Sequence, residues 1–471
     1  MTRDGAIRRA LDHFDQGEFF DDLARRVAIP SESQNPDRRA ELERYLGEEI
    51  GPAIQRLGGG WQIDLNPAGD PPLLVGQRIE APDLPTLLVY GHGDVVHGQE
   101  EQWREGLAPW HMVREGDRLY GRGTADNKGQ HSLLLAALRA VLAERGGRLG
   151  FNLKILIETG EEVGSPGLRE FARARKALLA ADLLIASDGP RLKFDQPTLF
   201  MGARGATNFE LVAQFRESGH HSGNWGGLLA NPAIVLAHAL SSLTGPRGEI
   251  LVEAWRPPGI PLSVRSALAE IDIDPDPDGP AIDPHWGEPG LSPAERVYAW
   301  NSFEILAFTA GRPDQPVNAI PPRAITWCQL RHVVGTDPER ILPGLREHLD
   351  RHGFGMIGIE QAQPCGFPAT RMLPDHPLVE WAAASMQRSL GRRPVVLPNL
   401  GGSLPNDVFA EILGMPTLWV PHSYPACGQH APDEHALVPV LREGLQLMTG
   451  LFWDLGAGSA PVPTHLRDPR G

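Results

Sequence analysis

Residues 86–94 read TLLVYGHGD. The run from Thr86 to Tyr90 is continuously apolar after its first residue, as a strand buried on both faces requires, and it stops abruptly on Gly91, His92, Gly93 and Asp94. The same design recurs twice. NLKILIETGEE (152–162) ends on Glu161 and Glu162, and DLLIASD (182–188) ends on Asp188. Strands over 86–90, 152–157 and 182–186, alternating with helical spacing over 6–27, 38–57, 130–145 and 167–179, predict an α/β layer with a mainly parallel sheet. In such a layer ligands gather at the carboxyl ends of the strands, where the histidine and acidic residues stand here.

The pattern changes after GARG (202–205). A strand-like segment over 207–215, a helix over 232–242 and a second helix over 338–352 follow, and α/β character resumes from 376 to a helix over 438–451. An insertion over 205–370, dividing an α/β domain into 1–204 and 371–471, explains this interruption. Within it, IDIDPDPDGPAIDPHWGEPG (271–290) has too few apolar residues to offset its ordering entropy and predicts an exposed loop.

At 471 residues and 41% hydrophobic, the chain can bury more than one core. Its formal charge of -15, with no basic patch, disfavours nucleic-acid and anionic-membrane partners. Cys328, Cys365 and Cys427 are far apart and show no CxxC spacing, which suits a reducing compartment. The first twenty residues lack a signal-peptide core, and the longest apolar stretch, 132–143, contains Arg139. A soluble, cytoplasmic protein is expected.

Two further segments join the strand ends. GRGTADNKG (121–129) places Asp126 just before a helix; it lacks the Gly-Lys-Ser/Thr ending of a phosphate-binding loop. QHAPDEH (429–435) adds His430, Glu434 and His435. Imidazoles mixed with carboxylates, without clustered thiolates, are the ligand chemistry of a catalytic zinc site, with manganese or cobalt as alternatives.

Nine segments in order, YGHGDVV, GRGTADNKG, ETGEEVGS, ASDG, GHHSGNWGG, VNAIPPRA, QLRHVV, GGSLPND and CGQHAPDEH, resemble the two-zinc family that contains acetylornithine deacetylase, succinyl-diaminopimelate desuccinylase, bacterial glutamate carboxypeptidase, aminoacylase and carnosinase. The resemblance spans nearly the whole chain. It implies a zinc-peptidase-like catalytic domain, a mixed sheet flanked by helices, with an inserted α+β lid that also forms a homodimer. It further implies that His92 and Asp188 hold one zinc, that Glu162 and His430 hold the other, and that Asp126 bridges them. Asp94 would orient His92 through its other ring nitrogen. Glu161 would be the general base, moving a proton from the attacking water to the leaving amine. His221, with His220 as the competing assignment, matches a lid histidine that reaches the partner subunit's site. Asn318, Arg331 and Ser403 match substrate-contacting positions, and Arg331 suits a carboxylate because its guanidinium can fork onto two oxygens. Read from the residues alone, Asn318 before Ile-Pro is also a turn residue and Ser403 also a helix cap.

His97 stands where many members carry proline, either in the pocket or on a surface loop. Trp419, Tyr424 and Cys427 either shape a specificity pocket or pack. The expected function is metal-dependent cleavage of an amide bond in a small carboxylate-bearing substrate, foremost by a dipeptidase or short-peptide peptidase. A deacylase of N-acyl amino acids is the alternative. A non-catalytic binding dimer on the same scaffold is the reading from a different class, and the intact set of ligands and base opposes it.

Overall fold

The computed structural model describes residues 1–66, 69–273, 280–361 and 366–462. Its larger sheet has eight strands in the order Gln62–Asn66, Leu73–Arg78, Asn152–Glu158, Thr86–His92, Leu183–Ala186, Thr417–Trp419, Thr198–Phe200 and Val395–Leu397. The centre is parallel: Thr86–His92 pairs with Asn152–Glu158 on one side and Leu183–Ala186 on the other, and Thr417–Trp419 continues the direction. The flanks are not. Leu73–Arg78 runs antiparallel to both neighbours, and Thr417–Trp419 meets Thr198–Phe200 antiparallel. A mainly parallel sheet therefore describes the middle only, because a short link such as that between Gln62–Asn66 and Leu73–Arg78 returns the chain antiparallel, without a crossover helix.

Alternate residues of the central strands feed two cores. Leu87, Val89, Ile155 and Ile157 pack with the helices Arg3–Asp15, Lys128–Glu144, Pro377–Leu390 and Val438–Gly456, while Leu88, Tyr90, Leu156 and Leu184 pack with Leu168, Phe409 and Trp419 on the other face. Lys128–Glu144 is buried almost all round. That burial accounts for its long apolar run, interrupted in 133–143 only by the exposed Arg139, since a helix packed on nearly every side has little polar face to show. It also holds the residue before it, Asn127, and so the neighbouring Asp126, against the sheet.

The segment expected as one helix over 6–27 is two, Arg3–Asp15 and Glu18–Val27, because Gly17 turns left-handed with φ +96° between them. The stretch 38–57 is likewise a series of short turns, Arg39–Arg44, Tyr45–Ile50 and Gly51–Gln55, and 167–179 divides into Leu168–Ala174 and Lys176–Leu179.

A second, four-stranded antiparallel sheet lies wholly within 205–361, ordered Ser302–Ala310, Arg323–His332, Gly205–Gln214 and Gly358–Gln361. The helices Pro232–Leu243 and Pro338–Arg351 cover one face around Phe209, Leu211, Trp255, Leu330 and Leu345. Along Arg323–His332 burial alternates, so Ala324, Thr326, Cys328, Leu330 and His332 face that core while Ile325, Trp327, Gln329 and Arg331 face away. The two chain crossings into this unit pair with each other, Gly202–Ala203 against Thr370–Arg371. The described parts of the expected loop, 271–273 and 280–290, carry no helix or strand; 274–279 and Cys365 lie outside the described residues. Among the described residues no helix is long and apolar enough to cross a membrane.

Candidate metal centre

Five segments converge, three of them at strand ends. His92 is the last residue of its strand, Asp188 lies just beyond Leu183–Ala186, and Glu161 and Glu162 form a turn beyond Asn152–Glu158. Asp126 precedes the helix Lys128–Glu144, and His430 stands in the loop after Thr417–Trp419. Two triads result, His92–Asp126–Asp188 and Asp126–Glu162–His430, each with its ligand atoms within 4.8 Å of one another.

Asp126 belongs to both. Its Oδ1 is 3.0 Å from His92 Nε2, and its Oδ2 is 3.2 Å from His430 Nε2. Asp188 Oδ2 lies 3.5 Å from His92 Nε2, and Glu162 Oε2 lies 3.0 Å from His430 Nε2.

The chemistry of this set suits cations. Glu162 Oε1 and Asp188 Oδ2 are buried carboxylate oxygens without a hydrogen-bond partner, an arrangement that is costly unless something positive completes it. Burial, then repulsion from Asp126, pushes Glu162 up to about 7 and Asp188 up to about 6. Glu161 is held well above the usual carboxylate range by burial and, against the pull of His92, by Glu162, Asp188 and Asp126. The residues present therefore fit a pair of divalent ions, with one carboxylate, Glu161, left over in the same cleft.

Asp94 is placed beneath both halves. His92 Nδ1 faces its backbone oxygen at 3.1 Å and its Oδ1 at 3.4 Å. The same carboxylate accepts the backbone N–H groups of Glu161 at 3.2 Å and Glu162 at 3.1 Å, so one side chain fixes the histidine ring and the glutamate turn together. Under the turn, the buried Glu158 accepts from Tyr90 at 2.8 Å and Ser165 at 2.9 Å, and burial followed by the charge of Asp94 pushes it up to about 7.

A cleft of about 400 Å³ opens over these groups, and its opposite wall belongs to the second sheet: Asn208, Gln329 and Arg331, with Ser403 beside them. Arg331 Nε donates to Gln329 Oε1 at 2.9 Å and Nη1 to Ser403 Oγ at 2.8 Å, while the Ser403 hydroxyl donates to the Arg204 carbonyl at 2.8 Å. Gln329 in turn donates to Asn208 at 2.9 Å. Arg331 and Ser403 thus reach the cleft. His221 and Asn318 do not line it; both are exposed, set together where His221 pairs with Ala319 and the Ser222 N–H donates to Asn318.

Of the open alternatives, His97 sits half-exposed, 3.7 Å from Glu32, outside the cleft. Trp419 is buried, bonded to Asn406 at 2.7 Å and stacked on Phe200, and Tyr424 bonds His435 at 2.7 Å beside the buried Cys427. These three pack and do not shape the cleft. Glu434 and His435 are not among the converging ligand atoms. Gln329 and Asn208 were not singled out in the sequence, although Gln329 stands two residues before Arg331 and so shares its face of a strand.

Residues 88–454 match the model of Peptidase family M20/M25/M40. The chain belongs to that family. Among M20 relatives it is 33% identical over 291 residues to the Beta-Ala-His dipeptidase of Mus musculus, covering 57% of this chain and 58% of that protein. It is 26% identical over 399 residues to the cysteinylglycine-S-conjugate dipeptidase of Corynebacterium striatum, covering 83% and 84%. The solved structure of the di-peptidase Dug1p from Saccharomyces cerevisiae has a similar fold, with a TM-score of 0.79 at 20% identity over 96% of this chain and 98% of that one. The chain thus spans little more than half the length of the mouse relative it matches.

Proposed function

We propose that this M20 chain is a metal-dependent dipeptidase or short-peptide peptidase, and that the observation carrying the reading is Asp126, which offers one oxygen to each of two histidine-containing triads. His92 and Asp188 would hold one zinc and Glu162 and His430 the other, with Asp126 shared between the two sets; manganese or cobalt would suit the same donors. When bound, such a pair brings the pKa of water towards neutrality and draws charge from a scissile carbonyl. The names of the mouse and corynebacterial relatives, both dipeptidases, support the substrate class.

The chain's own residues supply the rest. Glu161, in the same cleft but outside both triads, takes a proton from the attacking water and delivers it to the leaving amine nitrogen. Arg331 has Nε and one Nη1 hydrogen committed to Gln329 and Ser403, so its remaining N–H groups form an end-on fork for a substrate carboxylate. The Ser403 hydroxyl spends its proton on Arg204, which makes it a support for Arg331. Residues 1–204 and 371–471 act as the catalytic domain and 205–370 as the lid. The lid's edge strand Ser302–Ala310 exposes Ile305, Leu306 and Phe308, a surface for a homodimer in which His221 and Asn318 serve the partner's cleft. A cytoplasmic location accords with the cysteine usage.

The test is amino-acid release from a mixed panel of dipeptides and N-acyl amino acids by zinc-loaded and chelator-stripped protein. Chelator-sensitive release from dipeptides is expected; release confined to the N-acyl half would make the protein a deacylase, and release from neither would contradict the proposal.

A further inference from the structure

The buried ion pair Arg122–Glu434 belongs to neither triad, yet it joins the segments that carry them. Tyr120 and His435 are paired residues of adjacent antiparallel strands, Arg118–Tyr120 and His435–Leu437. The loop leaving the first strand delivers Asp126, and the loop entering the second delivers His430. Glu434, 1% exposed, stands at the junction. Its Oε1 accepts the backbone N–H groups of Gly123 at 3.0 Å, Ala125 at 3.0 Å and Asp126 at 3.1 Å. Its Oε2 accepts from Arg122 Nη1 at 2.8 Å, and its carbonyl accepts the Gly121 N–H at 3.0 Å. Arg122 Nη2 then reaches the His97 carbonyl at 3.0 Å.

The loop that Glu434 anchors needs anchoring. His430 and Asp433 are both left-handed, with φ +62° and +59°, an uncommon conformation for residues other than glycine, so fixed contacts help to hold the loop in it. Its remaining ties to other segments include Gln99 to the His430 carbonyl at 3.1 Å and the Arg104 N–H to the Asp433 carboxylate at 2.9 Å, both at exposed positions, and Gln429 Nε2 to Asp126 Oδ2 at 3.1 Å, which is part-buried; the bonds to Glu434 are the buried ones.

We propose that Glu434 is a positioning residue for the second metal: it locks the Asp126 backbone to the loop bearing His430, and so holds two of the three groups of the Asp126–Glu162–His430 triad. The first triad depends on it less, because His92 and Asp188 come from strands at the centre of the large sheet and only Asp126 is shared. Glu434 therefore makes the two metal affinities unequal in their sensitivity to the same substitution. The inference rests on the two-metal reading above.

The test titrates metal-free protein with zinc against a chromophoric chelator, for wild type, Glu434→Gln and the double variant Arg122→Met/Glu434→Met, with a thermal melt of each metal-free form. Glutamine keeps the volume and one acceptor but turns an N–H towards Arg122; the double variant removes the carboxylate without leaving a buried guanidinium unpaired. The expected result is a second equivalent weakened by about 10–100-fold, a first equivalent close to wild type, and a cooperative melt. Two equivalents bound as tightly as in wild type would overturn the proposal, and so would equal weakening of both. If neither variant melts cooperatively, Glu434 is a folding residue and the proposal fails as well. Wild type that binds no pair would overturn the two-metal reading itself, an outcome distinct from a variant that behaves like wild type.

Discussion

Glu161 and Glu162 are adjacent, and the structure separates their work by what each faces. Glu162 turns its Oε2 to His430, whereas Glu161 lines the cleft with no hydrogen bond to either histidine. Replacing Glu161 by Gln is expected to lower kcat by about 10²–10⁴-fold while zinc content, measured by atomic emission, stays at the wild-type value. Near-normal turnover would remove Glu161 from the base role. Arg331→Met is expected to act on binding: loss of a charge-assisted contact worth about 1.5–3 kcal/mol should appear as a higher KM for dipeptides, with a smaller effect on an amide lacking the free carboxylate. At this scale the sequence was most legible at strand ends, because a buried apolar run that stops on His or Asp announces its chemistry. It was least legible where the partner is backbone. Nothing in the letters of Glu434 shows three peptide N–H groups converging on its oxygen, and nothing in Asp94 shows that it holds the glutamate turn.

Elements carry these residues to one place, and their burial has its own titration. Lys154, on the strand Asn152–Glu158, is buried and donates to the Ala180 carbonyl at 2.6 Å and the Ala177 carbonyl at 3.3 Å; burial, against the attraction of Asp182, lowers it to about 8. A lysine depressed in the fold favours the neutral form there, so its contribution is complete above the unfolded value near 10.5 and is lost as the pH falls to about 8. Wild type should therefore lose on the order of 2 kcal/mol between pH 10.5 and 8 relative to Lys154→Met, after allowance for solvent screening, as read from urea midpoints. Parallel curves for the two proteins would show that Lys154 is not depressed. Element existence was readable from period, but element continuity was not: apolar spacing runs straight through 6–27, and only the left-handed backbone at Gly17 divides it. The strand Arg323–His332 shows the opposite case, where strict alternation gives one face to a core and places Gln329 and Arg331, on the other, in the cleft.

The whole molecule sets two sheets across a cleft, and His221 and Asn318 are exposed and do not line it. That placement gives the dimer proposal its test. Subunits carrying His221→Ala, mixed with subunits carrying Glu161→Gln and reassembled, should show activity that neither parent has, because a hybrid then contains one site with an intact base and a partner's histidine. Hybrids that form and stay inactive would confine His221 to its own subunit. The strands of the second sheet were distinguishable in sequence from the central strands of the first because Arg323–His332 alternates in burial while Asn152–Glu158 is buried throughout; which of their residues reach the cleft was not, since that depends on how the second sheet is set over the first. The most decisive measurement is anomalous X-ray scattering at the zinc edge from crystals of the zinc-loaded protein. Two peaks are expected, one between His92 and Asp188, one between Glu162 and His430, with Asp126 touching both; a single peak, or a pair that leaves Asp126 unbound, would contradict the dinuclear centre on which the proposed chemistry stands.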